Sequence, residues 1–263
     1  MKFVTVSLLP ELIEANFRQG VVATAWQKNL IQIQNFQPRE QVQDVHKTVD
    51  DRPFGGGDGM IMMAEPLAAT IELAKAAAPK AKVLAMSAHG RPWTNAQAQE
   101  LSDQSEVILV CGRYGGFDQR LLNEYVDQEV SIGDYVLSGG ELAAAVIIDS
   151  TSRWVPGVLG HSESANSDSF NNAWLEEPAF TRPREWRGQE VPEILLSGNH
   201  AKIAEWKRTL RYLNTWYKRP DLFKSHHLNA KELQNLKKFW ESLSPADRKS
   251  LGLSSMSWEG FGG

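Results

Sequence analysis

Residues 131–141 read SIGDYVLSGGE and are the most informative stretch of the chain. Three glycines let the backbone approach a flat ligand closely, and three apolar side chains offer walls for an adenine-sized ring. The glycines are Gly133, Gly139 and Gly140, and the apolar residues are Ile132, Tyr135 and Leu137. The spacing of Ser138 and Glu141 predicts a capping box that begins an apolar helix ending near Ser150. The stretch therefore predicts a nucleoside pocket beside a helix N-terminus, or alternatively a glycine-rich turn without a ligand.

Short apolar runs alternate with helical patterns over the first 160 residues. The runs at 4–9, 83–87 and 107–111 are typical of strands that are buried on both faces of a parallel sheet. Between them, one helical pattern starts at Glu65 and ends at Ala78, and another starts at Thr94 with Gln97 as its capping partner. This alternation predicts an α/β fold.

The composition changes after residue 160. Residues 161–172 are rich in Ser and Asn, which is typical of a linker. Beyond it, 199–213 and 229–243 have the pattern of amphipathic helices, and the chain after Ser244 offers one capped turn and then a frayed tail. We therefore expect a first domain over 1–160, a linker over 161–172, and a small α-helical domain with a C-terminal tail over 173–263.

Charge and cysteine content exclude several classes of protein. Residues 1–160 carry 13 basic and 19 acidic side chains, whereas residues 161–263 carry 15 and 13, so the second part is the better candidate for a nucleic-acid surface. A pI near 5.9 disfavours a strongly nonspecific polyanion binder. Cys111 is the single cysteine, which excludes an intrachain disulfide and paired-cysteine zinc motifs, and its apolar neighbours favour a buried, inert thiol.

Targeting signals and common enzyme motifs are missing from the sequence. The N-terminus does not resemble a signal peptide, and no window approaches the roughly 18 apolar residues of a membrane span, so we expect a cytoplasmic protein without a membrane partner. The sequence has no P-loop, no Gly-x-Ser-x-Gly elbow, no His-Glu-x-x-His pair and no evident metal-ligand cluster. The glycines at 55–59 do not complete a dinucleotide fingerprint, because Met62 occupies the position of its last glycine.

Five short motifs carry a resemblance to a known family. They read DDRPFGGG at 50–57, CGRY at 111–114, SIGDYVLSGGE at 131–141, PGVLG at 156–160 and DSF at 168–170. In order and spacing, the chain resembles the TrmD family, the bacterial tRNA (guanine-N1)-methyltransferases of the SPOUT class. The resemblance runs from about Phe3 to Leu222.

The resemblance implies a fold, a reaction and an assembly. We expect the first domain to be a parallel-sheet SPOUT domain whose chain forms a deep trefoil knot. The implied reaction transfers a methyl group from S-adenosylmethionine to N1 of guanine 37, on the 3′ side of the tRNA anticodon. Members of the family are homodimers that build each active site from two subunits, and the family is associated with Mg²⁺.

Three loops are expected to hold the methyl donor. They span 87–91, 112–116 and 131–140, and each follows a predicted strand, where ligands of α/β sheets collect. In the resembled family these loops bind S-adenosylmethionine mostly through backbone groups. The implied cofactor-binding residues are Ser87, Gly112, Ile132, Gly133, Asp134, Tyr135, Val136, Leu137, Gly139 and Gly140.

The resemblance also implies two catalytic residues. Asp168 matches the family's proposed general base, which removes the proton from guanine N1, although an isolated Asp here would more simply cap a short helix. Arg153 matches the residue that stabilises negative charge on guanine O6. From the sequence alone, Arg153 would serve equally well as a cation at the end of the helix that begins at Glu141.

A basic segment is the candidate RNA-binding surface. Residues 199–224 contain seven Lys or Arg and two acidic residues, with four aromatic residues between them, and this mixture suits phosphate contacts and base stacking. The aromatic residues are Trp206, Tyr212, Trp216 and Tyr217, and Arg182 is a weaker candidate for the same surface. The alternative is a solvated helix face over an aromatic core. We interpret His161 and His200 as surface or capping residues.

The chain departs from the family pattern at several positions. Position 115 is Gly, where the family usually has a Glu close to the cofactor and the reacting base. The other departures are Ala88 and His89 for Pro and Gln, Ala143 for Pro, and Ala23 and Thr24 for Gly and Arg. These differences leave two alternatives open: a catalytically weakened RNA-binding protein of the same fold, and a guanine methyltransferase that acts on another RNA.

Overall fold

The computed structural model describes residues 1–160, 168–171, 174–224 and 228–258. The chain divides into two compact units, Met1–Ala165 and Asn166–Gly263, which we call the N-terminal unit and the C-terminal unit. Most of the expected linker, including His161, lies outside the described residues. The domain bounds expected from the sequence therefore stay a prediction.

A five-stranded parallel sheet forms the centre of the N-terminal unit, with strand order β2-β1-β6-β5-β7. Its strands are β1 (Lys2–Val6), β2 (Gln32–Phe36), β5 (Lys82–Pro92), β6 (Glu106–Cys111) and β7 (Gln128–Ser131). Two short strands, β3 (Asp50–Asp51) and β4 (Ile61–Met62), form a separate antiparallel pair. The three predicted strands correspond to β1, β5 and β6. The α/β fold with a parallel sheet is thus confirmed, while the knot stays a prediction.

Helices cover both faces of this sheet. Alternate residues of its strands therefore enter two different hydrophobic cores, one on each face. On β6, Leu109 lies in one hydrophobic core and Val110 in the other. The helices are α1 (Glu11–Glu14), α2 (Gly20–Gln27), α3 (Ala64–Ala77), α4 (Asn95–Ser102), α5 (Gln119–Tyr125) and α6 (Glu141–Ser152). The predicted capping box of Thr94 and Gln97 is confirmed at the start of α4.

The capping box predicted for α6 is wrong. The helix begins at Glu141 as expected, but its N-cap is Gly140, and no side chain among the described residues caps it. The reason is that the Glu141 carboxylate is already engaged, since it accepts hydrogen bonds from Ser7 and Arg113.

The C-terminal unit is mainly helical. Its elements are the hairpin strands β8 (Glu185–Trp186) and β9 (Gln189–Glu190), followed by α7 (His200–Lys218), α8 (Pro220–Lys224), α9 (Ala230–Ser242) and α10 (Pro245–Ser250). The two predicted amphipathic helices are α7 and α9, and the Asn229 cap with Glu232 is confirmed. Leu210, Leu213 and Trp240 are central to the hydrophobic core of this unit.

The segment after α10 is not frayed as far as the structure describes it. Leu251 is 2% exposed and Leu253 is 1% exposed, and Met256 is also buried in the same core. The prediction of a frayed tail is therefore wrong for residues 251–258, because their apolar side chains complete the packing of this unit. Within the described parts of the chain, no helix is both long enough and apolar enough to cross a bilayer.

Candidate functional site

A cavity of about 410 Å³ lies in the N-terminal unit. Three segments line it, namely 86–89, 112–117 and 129–140 with a gap at Asp134. Nine of the ten predicted cofactor-binding residues are in this lining: Ser87, Gly112, Ile132, Gly133, Tyr135, Val136, Leu137, Gly139 and Gly140. Asp134 is exposed and is not among the lining residues.

The first segment is a bulge inside β5, and not a loop after the strand as the sequence suggested. The pairing of β5 with β7 shifts register between Met86 and Arg91, and residues 87–89 of this bulge line the cavity. A Cβ atom on Gly90 would lie 2.3 Å from the backbone nitrogen of Val130. Only glycine fits there, because no real side chain can approach a backbone atom so closely.

The second and third segments are joined by backbone contacts. Arg113 and Gly139 form an isolated antiparallel bridge, and the Gly140 N–H donates to the Gly112 carbonyl over 2.8 Å. A Cβ atom on Gly140 would lie 2.8 Å from Cβ of Met86 and 2.9 Å from Cα of Cys111. Gly140, one of the glycines that suggested a ligand pocket, is therefore required by the packing of the loops against each other.

Glu141 anchors the two segments and was missed as a site residue by sequence reasoning. It is 1% exposed, its Oε1 accepts from Ser7 Oγ over 2.9 Å, and its Oε2 accepts from Arg113 Nη1 over 3.0 Å. The available signal was an acidic residue directly before the apolar run 142–148. The carboxylate thus connects the end of β1, the loop after β6 and the start of α6.

Cys111 lies beside this anchor. Its thiol is fully buried, and burial, reinforced by the charge of Glu141, raises the pKa of Cys111 well above its ordinary value. A thiol that stays protonated is a poor nucleophile. The predicted burial of Cys111 is confirmed, and the raised pKa favours the predicted inert thiol.

Gly115 packs against the backbone of Met60, which directly precedes β4. Its N–H donates to the carbonyl of Met60 over 2.7 Å, and a Cβ atom at position 115 would lie 2.9 Å from that same oxygen. Any side chain at 115 would therefore require Met60 to move. The glycine at 115, where the family usually has Glu, therefore fits the close approach of the Met60 backbone.

The two predicted catalytic residues lie in different units. Arg153 is exposed at the C-cap of α6, as its alternative role requires, and its N–H donates to the Asp149 carbonyl. Asp168 lies in the C-terminal unit, where its carbonyl accepts from the N–H of Asn171 over 3.3 Å. Their assignment as catalytic residues stays a prediction.

Several aromatic side chains of the candidate RNA-binding surface on α7 pack into the protein and do not face solvent fully. Trp206, Tyr212 and Trp216 pack against the core of the C-terminal unit, so the aromatic-core alternative describes these three residues. Tyr217 is 36% exposed. His200 is the exposed first residue of α7, in agreement with its predicted surface role, and Arg182 is exposed before a cis peptide bond to Pro183.

Glu177, which lies outside the basic segment, pairs with two of its cations. Its carboxylate is 2.7 Å from Arg211 and 3.1 Å from Lys207. Partial burial raises the pKa of Glu177, but hydrogen bonds from Arg211 and Lys207 outweigh it, so the pKa is lowered. Four other cations of the segment, Lys202, Arg208, Lys218 and Lys224, are exposed. Among the described residues there is no group of three His, Cys, Asp or Glu side chains placed to hold a metal ion.

Comparison with known proteins gives consistent matches. The family model described as tRNA (Guanine-1)-methyltransferase TrmD matches residues 1–225. A tRNA (guanine-N(1)-)-methyltransferase of Geobacter metallireducens is 47% identical over 244 residues, which cover 93% of this chain and 100% of that relative. The enzyme of the same name from Escherichia fergusonii is 46% identical over 250 residues, covering 95% of this chain and 98% of the relative.

Proposed function

The chain belongs to the TrmD family of tRNA (guanine-1)-methyltransferases, and on this premise we propose that it transfers a methyl group from S-adenosylmethionine to N1 of guanine 37 in tRNA. The observation that supports this most strongly is the convergence of nine predicted cofactor-binding residues on one cavity. Its three segments are distant in the sequence, so their meeting is not a consequence of local composition.

The cavity suits the methyl donor in size and chemistry. A volume of about 410 Å³ lies within the range of small-molecule sites. Ile132, Tyr135 and Leu137 supply apolar surface for an adenine ring, while Gly112 and Gly140 leave backbone groups accessible beside it. Bound S-adenosylmethionine would supply a methyl group that is already activated by its sulfonium.

The protein's own contribution is to place the guanine and to move its N1 proton. In our proposal the Asp168 carboxylate accepts this proton while the N1–methyl bond forms and the sulfur–methyl bond breaks. The Arg153 guanidinium stabilises the negative charge that develops on O6. From the family resemblance, we propose that a homodimer assembles each active site from two subunits and that Mg²⁺ assists the reaction.

The experiment is methyl transfer from labelled S-adenosylmethionine to an unmodified tRNA transcript, measured in a single turnover, with the modified base mapped. We expect Asp168→Ala to lower the rate by about 10²- to 10⁴-fold, the usual contribution of a general base, with donor affinity unchanged. Asp103→Ala, which removes an exposed carboxylate of the N-terminal unit, serves as the control and should keep the full rate. Full turnover by Asp168→Ala would remove the assignment of the base, and label on another base or RNA would refute the proposed target.

One observation favours a second candidate function. Gly115 stands where the resembled family usually has Glu, and the backbone of Met60 occupies the space that a Cβ atom would need. A chain without that carboxylate could bind donor and RNA but transfer the methyl group poorly. Tight tRNA binding without labelled product in the same experiment would favour this RNA-binding protein over the enzyme.

A further inference from the structure

Besides the imidazole of His89, the lining of the cavity contains two charged side chains. They are Arg113 and Glu129, both among the residues that the structure describes. The charge of Arg113 is matched by Glu141, whose Oε2 lies 3.0 Å from the guanidinium. The charge of Glu129 has no such match, since it forms no ion pair with any described residue. The cavity is therefore left with one uncompensated negative charge.

Glu129 is placed at the cavity by the strand that carries it. It lies in β7, directly before Val130, where Gly90 lets the end of β5 pass closely. Its Oε2 atom is buried, and no described residue donates a hydrogen bond to it. A buried carboxylate oxygen without a donor is costly, because the lost hydration is not replaced. Glu129 therefore brings an acidic side chain into the lining of the cavity without an ion-pair partner among the described residues.

We propose that Glu129 selects the positively charged methyl donor over the neutral product; this inference rests on the proposed function. At neutral pH, S-adenosylmethionine carries a sulfonium, an ammonium and a carboxylate, and its net charge is +1. When the methyl group leaves with the sulfur–carbon bond broken, the sulfonium becomes a thioether and the product, S-adenosylhomocysteine, has no net charge. A cavity with one unmatched carboxylate attracts the first more strongly than the second.

Equilibrium binding of donor and product to the full chain tests this directly. Isothermal titration calorimetry would give the Kd of S-adenosylmethionine and of S-adenosylhomocysteine for the wild type and Glu129→Gln. We expect Glu129→Gln to raise the Kd of the donor about tenfold, as for loss of a charge-assisted contact, and that of the product less than twofold. Glu124→Gln removes the same charge from an exposed site on α5 and should leave both Kd values unchanged.

The outcomes separate charge selection from other roles. If Glu129→Gln weakened the binding of donor and product equally, Glu129 would act as an ordinary hydrogen-bond acceptor. If the Kd of the donor did not change, Glu129 would make no contact with it. Either result overturns the proposal. The ligand-free Glu129→Gln protein should unfold at no lower temperature than the wild type, since the substitution removes an unpaired charge. If Glu129→Gln unfolded at a lower temperature and bound neither ligand, Glu129 would have a structural role instead. A wild type that binds donor selectively but methylates no tRNA would refute the proposed function alone, and one that binds neither ligand would refute both.

Discussion

Two ion pairs, one in each unit of this chain, use charged side chains in opposite ways. In the N-terminal unit, the Arg113–Glu141 pair is largely buried and joins the loops that form the cavity, with side-chain exposures of 20% and 2%. In the C-terminal unit, the Arg184–Glu190 pair is exposed to 61% on both sides. The buried pair therefore holds two cavity loops in specific positions, whereas an exposed cation such as Arg184 stays available to a partner such as the RNA backbone.

Removing the buried carboxylate should have the largest effect. We expect Glu141→Ala to lower the free energy of unfolding by about 3 kcal/mol, because it leaves the Arg113 charge and the Ser7 hydroxyl without their acceptor. Donor binding should weaken as well, since both cavity loops lose their common anchor. Chemical denaturation and calorimetry measure the two effects.

The exposed pair of the C-terminal unit supplies the matched control for this substitution. Glu190→Ala breaks a pair whose partners are 3.9 Å apart and solvated, so the free energy of unfolding should stay within experimental error. Equal destabilisation by Glu141→Ala and Glu190→Ala would show that the two units do not differ in the way we describe.

A single methyl group at the junction of the cavity loops should have the next largest effect. Gly140→Ala places a Cβ atom 2.8 Å from Cβ of Met86 and 3.0 Å from the backbone nitrogen of Gly112. We expect a loss of about 2 kcal/mol in stability, the usual range for overpacking, and at least a tenfold rise in the donor Kd. Gly160→Ala is the control, because no residue that the structure describes would lie within 4 Å of its Cβ atom. If Gly140→Ala bound the donor normally, the loop junction would not shape the cavity.

Much of the N-terminal unit could be predicted from local patterns. The apolar run over 107–110 indicated a central strand, and Thr94 with Gln97 marked a helix start, because both signals depend only on neighbouring residues. The glycines of 131–141 likewise indicated close backbone packing, and the structure places them beside the cavity. These features are properties of short segments, so one sequence suffices to recognise them.

The contacts that hold the site could not be predicted in this way. Ser7 and Glu141 are 134 positions apart, and their hydrogen bond depends on how β1 and α6 pack in the folded chain. Seen locally, Glu141 fitted a capping box, which the structure rules out. The same limit applies to the count of charges on α7, because the carboxylate of Glu177 lies outside the counted segment and takes up two of its cations.

Glu177→Gln should have a smaller effect on stability than Glu141→Ala or Gly140→Ala, and it reports on the C-terminal unit. The pKa of Glu177 is lowered in the folded chain from its usual 4.5, so the ionised carboxylate contributes stability above that pH and loses it as the pH falls through the lowered value. We expect Glu177→Gln to cost about 1 kcal/mol at pH 7 and progressively less below pH 4.5. The same substitution removes the negative charge that Glu177 places beside Lys207 and Arg211, and tRNA should then bind about threefold more tightly at low salt, with a steeper salt dependence. Weaker tRNA binding would instead mean that Glu177 holds these two cations in the orientation that the RNA requires, and the charges of this unit would then be as firmly positioned as those around the cavity.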